Sequence, residues 1–397
     1  MVITTIDDIQ EYIHQSIDTI GGYWPPLSAV ARLLEEIGEL SYELKNWEAD
    51  SDNIKYELAD IFILSICIAN QYSSHLGSEY EKLGIVIPPS QKSKATFNSK
   101  NIKLAQEILL EINMSAGMIA RIINAYEGGK APKQGEGLKT VSEASAILQR
   151  SLIAFANLFS INILKVSQTV FDRKSGRDKQ RFERLYDPTL SQALKNFELL
   201  QKSTYCVYAS AAKLWGAGKY NDQKSFEDNM FIVLPQLIRF TRIAIAEYLD
   251  GFIIELPTPY FGDSLDNLGR TMKRFLSYLN RNDPKESNCL NGNIESKKWQ
   301  FNFNGLDLFV IAFAPFYPET NPRHSRSEKT FLFIQPQLMF KKKIQRNKIS
   351  EVKELIRDNF DSNSQTYRGQ IMELDIESYK FVKPLFPNDP PVKWWEF

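Results

Sequence analysis

The sequence predicts a multidomain protein in which an all-α bundle with degenerate helical repeats precedes a smaller α+β domain. Its 397 residues exceed one average domain, and at roughly 150 residues per domain they suggest two or three. Over residues 1–255, apolar residues recur at three- and four-residue steps, which is the period of an amphipathic helix. After residue 255, aromatic and β-branched runs bounded by turn residues are typical of strands.

The helical region divides into successive helices joined by polar loops. Predicted helices cover residues 5–19, 27–48, 53–74, 102–127, 139–165, 179–184, 190–215 and 225–250. Strands are predicted at 298–305, 307–315 and 329–340, with helices at 264–280 and 348–359. Proline, serine and glycine in segments 86–99 and 128–138 indicate linkers. We therefore expect domains at 1–90, 100–255 and 256–397.

Composition and charge exclude several classes of protein. With 43% hydrophobic and 24% charged residues, the chain has the composition of a folded protein rather than a disordered one. Lysine plus arginine and aspartate plus glutamate both number 48, and this zero balance argues against a dedicated nucleic-acid-binding protein. Residues 1–100 hold 15 acidic and seven basic residues. This acidic region indicates either a cation site or a solvated acidic face.

Cysteines, histidines and apolar runs indicate a soluble protein of a reducing compartment. Cys67, Cys206 and Cys289 are far apart and odd in number, so neither a disulfide framework nor a metal knuckle is predicted. Only three histidines are present, which argues against a zinc site built on several of them. The amino terminus lacks the features of a secretory signal, and the longest apolar runs are about half a bilayer span. We expect a cytoplasmic protein with no membrane partner.

Two acidic pairs on consecutive predicted helices carry the clearest chemical signal. Glu36 and Glu39 are three residues apart, and Glu57 and Asp60 repeat that spacing, so each pair shares one helical face. Both pairs stand among leucines and isoleucines, without the interspersed lysines of a solvated acidic surface. Packing the two helices antiparallel brings four carboxylates together, and their repulsion requires a counter-charge such as Mg²⁺. The alternative is a pair of surface helices with acidic faces.

At these residues the sequence resembles the MazG-like, all-α nucleoside triphosphate pyrophosphohydrolases. The resemblance covers about residues 20–80 and rests on EExxE at 35–39 followed by ExxD at 57–60. Gly38 within the first motif and Trp47 at the end of its helix also resemble the family. In that family the acids hold Mg²⁺, and water attacks the α-phosphorus to give a nucleoside monophosphate and pyrophosphate.

The resemblance implies a role for each acidic residue. Glu35 is a further metal ligand or orients the attacking water. The metal would be Mg²⁺, with Mn²⁺ as a substitute, which agrees with the need of phosphoryl transfer for charge neutralisation. The implied ligands are Glu36, Glu39, Glu57 and Asp60.

Candidate substrate-binding residues lie outside the acidic pairs. Trp24, just before the first motif helix, is a candidate for stacking on a base, and its alternative is a hydrophobic staple at the helix start. Asn70 follows Asp60 by about three helical turns, and is either a hydrogen-bond partner for sugar or base or an exposed polar residue. The basic run at 172–184 either contacts phosphates or is a solvated loop. Its candidates for phosphate contact are Arg177, Lys179 and Arg181.

A weak internal repeat suggests three related helix pairs. The segments 66–72, 153–159 and 243–249 share an I-x-x-A-x-x-aromatic/aliphatic pattern near the end of a long helix. Such pairs would pack like a duplicated four-helix bundle. The later pairs have lost the acids, since Ser115 and Met118 align with the first acidic pair. MazG-like enzymes generally build their sites from associated subunits, so the resemblance implies a homo-oligomer or an intramolecular pseudo-oligomer, unless the helices are plain scaffold.

The carboxy-terminal part resembles the YqcI/YcgG family over about residues 255–397. The resemblance rests on FVIAFAP at 309–315, YPETNPR at 317–323, FLFIQPQLMF at 331–340 and the Ile356–Arg357 helix. Some members of that family are heme-dependent oxygenases acting on nitrogen of amino or guanidino compounds, and a heme needs an axial His, Cys or Tyr. This sequence has Ala314, Pro315 or Asn321 where the family tends to have a histidine, with His324 displaced by a few residues. The departure argues against heme.

Together these features predict a Mg²⁺-dependent nucleotide pyrophosphohydrolase whose partner is its nucleotide substrate. One alternative is a heme-dependent oxygenase of the YqcI/YcgG type, with the helices mainly as scaffold. Another is a non-catalytic nucleotide sensor, in which the acids bind Mg²⁺-nucleotide and the carboxy-terminal domain signals to a partner. A fusion of this kind also fits a role in antiviral defence.

Overall fold

In the computed structural model the chain divides into two units, Met1–Asp187 and Pro188–Phe397. The structure describes residues 3–46, 53–88, 99–129, 137–177, 186–339, 349–365 and 369–397. The first unit is helical and the second is a mixed α/β region, as the sequence predicted. The second unit begins well before the expected boundary at 255/256, because two strands lie within the stretch that was predicted to be helical. The predicted helix at 179–184, Trp47 and most of both linkers lie outside the described residues.

The described part of the first unit contains seven helices. They are α1 (Ile6–Ile17), α2 (Pro26–Lys45), α3 (Asn53–Asn70), α4 (Leu76–Leu83), α5 (Ser99–Glu127), α6 (Val141–Leu158) and α7 (Ile163–Arg177). Helix α4 was missed, and the helix predicted at 139–165 is interrupted after Phe159, where Ser160 takes a positive φ of 54°. A non-glycine residue in that region cannot continue a right-handed helix, so α6 and α7 run in different directions.

Four of these helices form a bundle made of two pairs. Helix α2 packs against α3, α5 packs against α6, and contacts of α2 with α5 and of α3 with α6 close the bundle. Helix α3 is buried around its circumference from Leu58 to Asn70, and α7 also packs on it. This confirms the expectation that the second helix pair packs against the first.

The predicted third pair is not part of that bundle. Its helices are α8 (Gln192–Ser203) and α9 (Phe226–Glu247), and both belong to the second unit. The helix predicted at 190–215 ends at Ser203, and Leu214–Gly216 forms a strand instead. The repeat pattern at 243–249 therefore reflects an apolar helix face that packs on α11 and on the sheet.

A five-stranded sheet organises the second unit. Its strands β1 (Leu214–Gly216), β2 (Gly251–Leu256), β3 (Phe301–Phe303), β4 (Leu306–Phe313) and β5 (Thr330–Pro336) are ordered β1-β2-β5-β4-β3. Strands β1 and β2 are parallel, and the other neighbours are antiparallel. The remaining helices are α10 (Thr258–Phe261), α11 (Leu265–Arg281), α12 (Ile349–Ser362) and α13 (Gln370–Leu374).

The two faces of this sheet differ in burial. Along β4, Leu308, Val310 and Ala312 are fully buried, whereas the alternate residues of the strand are only half-buried. Helix α8 covers one end of the second face, where Phe197 packs with Phe331 in an apolar cluster. Because successive side chains of a strand point to opposite faces, this pattern leaves the rest of the second face open to a cavity.

Two helices among the described residues are long and apolar enough to cross a membrane by length and composition alone. They cover residues 100–127 and Phe226–Glu247. No single uninterrupted apolar run is that long, which is why they escaped the sequence prediction. The first helix packs in the bundle of its unit, and the second packs on α11 and β5.

Candidate metal centre

Helices α2 and α3 bring acidic side chains from both sequence motifs together. One carboxylate oxygen from each of Glu36, Glu39 and Glu57 lies within 4.8 Å of the other two. Helix α2 begins with Pro26. Proline is tolerated there because a backbone N–H in the first turn has no partner within the helix, so its absence costs no hydrogen bond. Leu33, Ile37 and Leu40 of α2 are buried, whereas Leu34 is exposed. Glu36 and Glu39 of the same helix approach Glu57 of α3. The predicted pairing of the two motifs is present for these three residues.

Glu36 is the most deeply buried member of the cluster. Its side chain is 2% exposed, and one of its oxygens pairs with Arg32 one helical turn earlier. The other oxygen, Oε2, has no hydrogen-bond partner within the described residues. A buried carboxylate oxygen that is left unengaged costs free energy, and structures retain such groups chiefly where a ligand or ion completes them. The donor set, oxygen atoms only, is the one that Mg²⁺ prefers.

Asp60, the fourth predicted ligand, is turned toward a lysine. Its Oδ2 lies 2.6 Å from Nζ of Lys174, which α7 contributes. Asp60 is buried and close enough to Glu36 to raise the pKa of that residue. The fourth acid is therefore beside the cluster but neutralised by a cation from another helix.

Burial and neighbouring charges shift the pKa values of the clustered acids. Burial, together with the adjacent Glu36, raises the pKa of Glu57 to about 8. Burial also raises the pKa of Glu36, with Asp60 as the next contributor. For Asp60, burial raises the pKa although Lys174 opposes it. Glu35 differs, because its hydrogen bond with Arg32 lowers the pKa of its exposed carboxyl.

These shifts predict how the metal-free protein responds to pH. Glu57 binds its proton more tightly folded than unfolded, so its contribution to the free energy of unfolding falls as pH rises from about 4.5 to about 8. In EDTA, the wild-type protein should therefore lose stability over this window relative to Glu57→Gln, and added Mg²⁺ should remove the difference. Thermal unfolding of both proteins at pH 5, 6.5 and 8 measures it. A wild-type protein that gains stability over the variant as pH rises would contradict the crowding.

The predicted substrate-binding residues lie in different environments, and two of them fall outside the described residues. Trp24 is 39% exposed just before α2. Asn70 is buried rather than exposed, and its Oδ1 accepts a 2.7 Å hydrogen bond from Gln10 of α1, so it joins two helices. Arg177 ends α7, but the structure does not describe its side chain, and Lys179 and Arg181 lie outside the described residues.

Two cations that the sequence prediction did not name contact the acids directly. Arg32 bridges Glu35 and Glu36, and it was detectable as a base one turn before the motif. Lys174 belongs to the basic run at 172–184, which does approach the acids, but through an earlier residue than expected. Nothing local in the sequence indicates that Lys174 faces Asp60, because the contact depends on how α7 packs on α3.

The helical fold and this carboxylate cluster define a class of protein, an all-α unit suited to holding a divalent cation. Residues 25–83 match the MazG nucleotide pyrophosphohydrolase domain, and residues 196–379 match the YqcI/YcgG family. The protein YpjD of Bacillus subtilis (strain 168), described as uncharacterized, is 30% identical over 88 residues, which are 20% of this chain and 79% of YpjD. No solved structure matches the chain.

The chain therefore belongs to the MazG family through its first unit. Residues 196–379 of its second unit are similar to the YqcI/YcgG family. At the level of the family, this supports a nucleotide pyrophosphohydrolase-like function. MazG-like domains typically depend on a divalent metal, and the cluster of Glu36, Glu39 and Glu57 agrees with that dependence.

Proposed function

We propose that the first unit hydrolyses nucleoside triphosphates to nucleoside monophosphates and pyrophosphate in a Mg²⁺-dependent reaction. The observation that carries this proposal is the cluster of Glu36, Glu39 and Glu57, with one buried glutamate oxygen left unengaged. Neither motif alone could hold the metal, because α2 and α3 each contribute only some of the carboxylate ligands. The family match extends across both helices and supports the same reaction.

Each side chain then has a role that follows from its position. Glu36, Glu39 and Glu57 would hold Mg²⁺, and Asp60, which lies beside them and pairs with Lys174, would be a fourth ligand. When bound, Mg²⁺ supplies the positive charge that neutralises the triphosphate oxygens and favours in-line attack. Glu35, which is ionised and exposed beside the cluster, orients the attacking water. The new bond joins water oxygen to the α-phosphorus, and the bond to the bridging oxygen breaks to release pyrophosphate.

Arg32 and Lys174 place positive charge beside the clustered acids. Lys174 pairs with Asp60, and we infer that it also contacts a phosphate oxygen of the substrate. Arg32 keeps Glu35 ionised by its hydrogen bond. Manganese, which shares the preference for oxygen ligands, should substitute for magnesium.

The second helix pair supports a pseudo-oligomeric arrangement of this site. Helices α5 and α6 close the bundle around α2 and α3, as a partner subunit would. Helix α5 carries Ser115 and Met118, not acids, at the positions aligned with Glu36 and Glu39. We therefore propose that the site is completed within one chain and works in the cytoplasm. Trp24 is the residue that we propose for stacking on the base, with Arg177, Lys179 and Arg181 as further phosphate contacts.

The direct test is turnover. The full chain should hydrolyse at least one of the eight common ribo- and deoxyribonucleoside triphosphates in Mg²⁺, lose that activity in EDTA, and recover it in Mn²⁺. Chromatography of the products identifies both the preferred base and sugar. Tight nucleotide binding without turnover by any of them would instead identify a nucleotide sensor, and a Soret band in the purified protein would favour the oxygenase.

A further inference from the structure

The second unit contains a cavity of about 410 Å³, within the range of small-molecule sites. Its floor is the half-buried face of the sheet, formed by Phe309, Ile311 and Phe313 of β4 and by Phe333 and Gln335 of β5. The alternate residues of these strands are buried on the other face of the sheet. Backbone pairing between β4 and β5 joins the two strands that form the floor.

The walls come from segments distant in the chain. Helix α8 contributes Phe197 and Leu200, and the loop that follows it contributes Cys206 and Tyr208. Helix α12 contributes Lys353 and Arg357 to the wall, and residues 375–380 contribute Asp375, Glu377 and Lys380. Every motif on which the YqcI/YcgG resemblance rests contributes a lining residue, so these motifs converge on one site.

The floor is aromatic but contains one unused polar group. Gln335 lies among the phenylalanines, and its amide forms no hydrogen bond in the described part of the chain. By contrast, Gln337 donates to Glu377 at 2.5 Å and is itself bonded by Gln300. A lone amide on an apolar floor is the kind of group that fixes the orientation of a ligand.

One lysine at the cavity wall, Lys353, forms no direct ion pair within the described residues, although its charge lowers the pKa of the nearby Asp375. Lys380 is paired with Asp375 at 2.6 Å, and Arg357 is paired with Glu354. Lys353, one turn before Arg357 on α12, forms no ion pair or hydrogen bond within the described residues. The described lining holds four basic and three acidic residues, so one positive charge is in excess beside the aromatic floor.

The donor atoms of this cavity do not fit a heme with an imidazole or thiolate ligand. No histidine is among the lining residues that the structure describes, and His324 lies outside them. Cys206 lines the cavity, but burial raises the pKa of its thiol, which disfavours the thiolate that iron binds. Neither of these two ligand types supports heme chemistry here, and Tyr208 is the one tyrosine among the described lining residues.

We propose that this cavity binds an aromatic carboxylate, a flat organic acid rather than a metal cofactor. Its rings lie on Phe309, Phe313 and Phe333, a polar substituent meets Gln335, and its carboxylate pairs with Lys353. Aromatic stacking would cover the apolar floor of the cavity. The charge-assisted hydrogen bond to Lys353 would fix the orientation of the ligand. This site is separate from the carboxylate cluster, which belongs to the other unit.

The test uses 8-anilinonaphthalene-1-sulfonate as a fluorescent probe of the full-length protein. We expect one site per chain, displacement by 2-naphthoate, and no displacement by the uncharged 2-naphthylmethanol at equal concentration. Lys353→Glu should weaken probe binding about threefold to tenfold, since it replaces an attraction at an exposed site by a repulsion. Gln335→Leu should weaken 2-naphthoate binding, and Ala212→Trp, which fills the cavity at a small lining residue, should abolish it.

Lys224→Glu is the matched control, because Lys224 is an exposed lysine of the same unit outside the cavity lining. Lys353 is itself exposed, so its variant should fold, and circular dichroism checks this. Equal affinity in Lys353→Glu and Lys224→Glu would overturn the proposal. So would equal displacement by the acid and the alcohol, or stoichiometric hemin binding with a Soret shift that displaces the probe. Nucleotide hydrolysis is measured alongside and should be unchanged in all variants.

Discussion

Replacing Glu57 by glutamine is expected to lower Mg²⁺-dependent nucleotide hydrolysis by about 100-fold or more. The substitution keeps the size of the side chain but removes one of the three carboxylates that lie within 4.8 Å of one another. Losing a ligand that neutralises transition-state charge costs several kcal/mol, and each 1.4 kcal/mol is about tenfold in rate. Initial rates over a Mg²⁺ titration measure the effect, and a shift of the titration to higher Mg²⁺ is part of the expected result.

The same variant should fold at least as stably as the wild type without metal. Glu57 is crowded by Glu36, and an amide relieves that repulsion. Glu107→Gln is the matched control, because Glu107 is an exposed glutamate on α5 outside the cluster. Full turnover by Glu57→Gln, with the control also active, would remove the carboxylate cluster from the mechanism.

A fragment of residues 1–99 is expected to fold poorly or to self-associate, whereas a fragment of residues 1–187 should unfold cooperatively. Helix α3 is buried on all sides, and in the full unit α5, α6 and α7 supply much of its cover and that of α2. Their contributing side chains include Ile112, Ile119, Leu148 and Leu152, all fully buried. Without them the two acidic helices expose a large apolar surface, and exposed patches beyond a few hundred Å² usually drive association.

Sedimentation and urea unfolding of the two fragments give the answer. The longer fragment is the control, because it ends where the first unit ends. A monomeric, cooperatively folded and fully active 1–99 fragment would show that α5 and α6 are dispensable. The pseudo-oligomeric arrangement would then have to be abandoned.

Periodic features of the sequence predicted much of the fold. The helices of the bundle follow from apolar residues at three- and four-residue steps, and the acids of α2 and α3 follow from the same spacing. Two short strands, β1 and β2, were not predicted because they show no periodicity of their own. Strand β1 has three residues, and β2 continues the apolar run of α9, so neither is separable from a helix by pattern alone.

Contacts between distant segments were the part of the site that the sequence could not predict. Lys174 and Asp60 are more than a hundred positions apart in the chain, and only the packing of α7 on α3 brings them together. Similarly, Asn70 was expected to be exposed or to bind substrate, yet it hydrogen-bonds Gln10 of α1. The acids were predictable because their spacing is local, whereas their counter-charges are set by tertiary structure.

The most direct test of the proposed reaction is the position of solvent oxygen in the products. The protein, Mg²⁺ and the preferred nucleoside triphosphate are incubated in water enriched in ¹⁸O, and the products are analysed by mass spectrometry. Attack on the α-phosphorus predicts one ¹⁸O in the nucleoside monophosphate and unlabelled pyrophosphate. Label in pyrophosphate, or in orthophosphate released with a nucleoside diphosphate, would contradict the account.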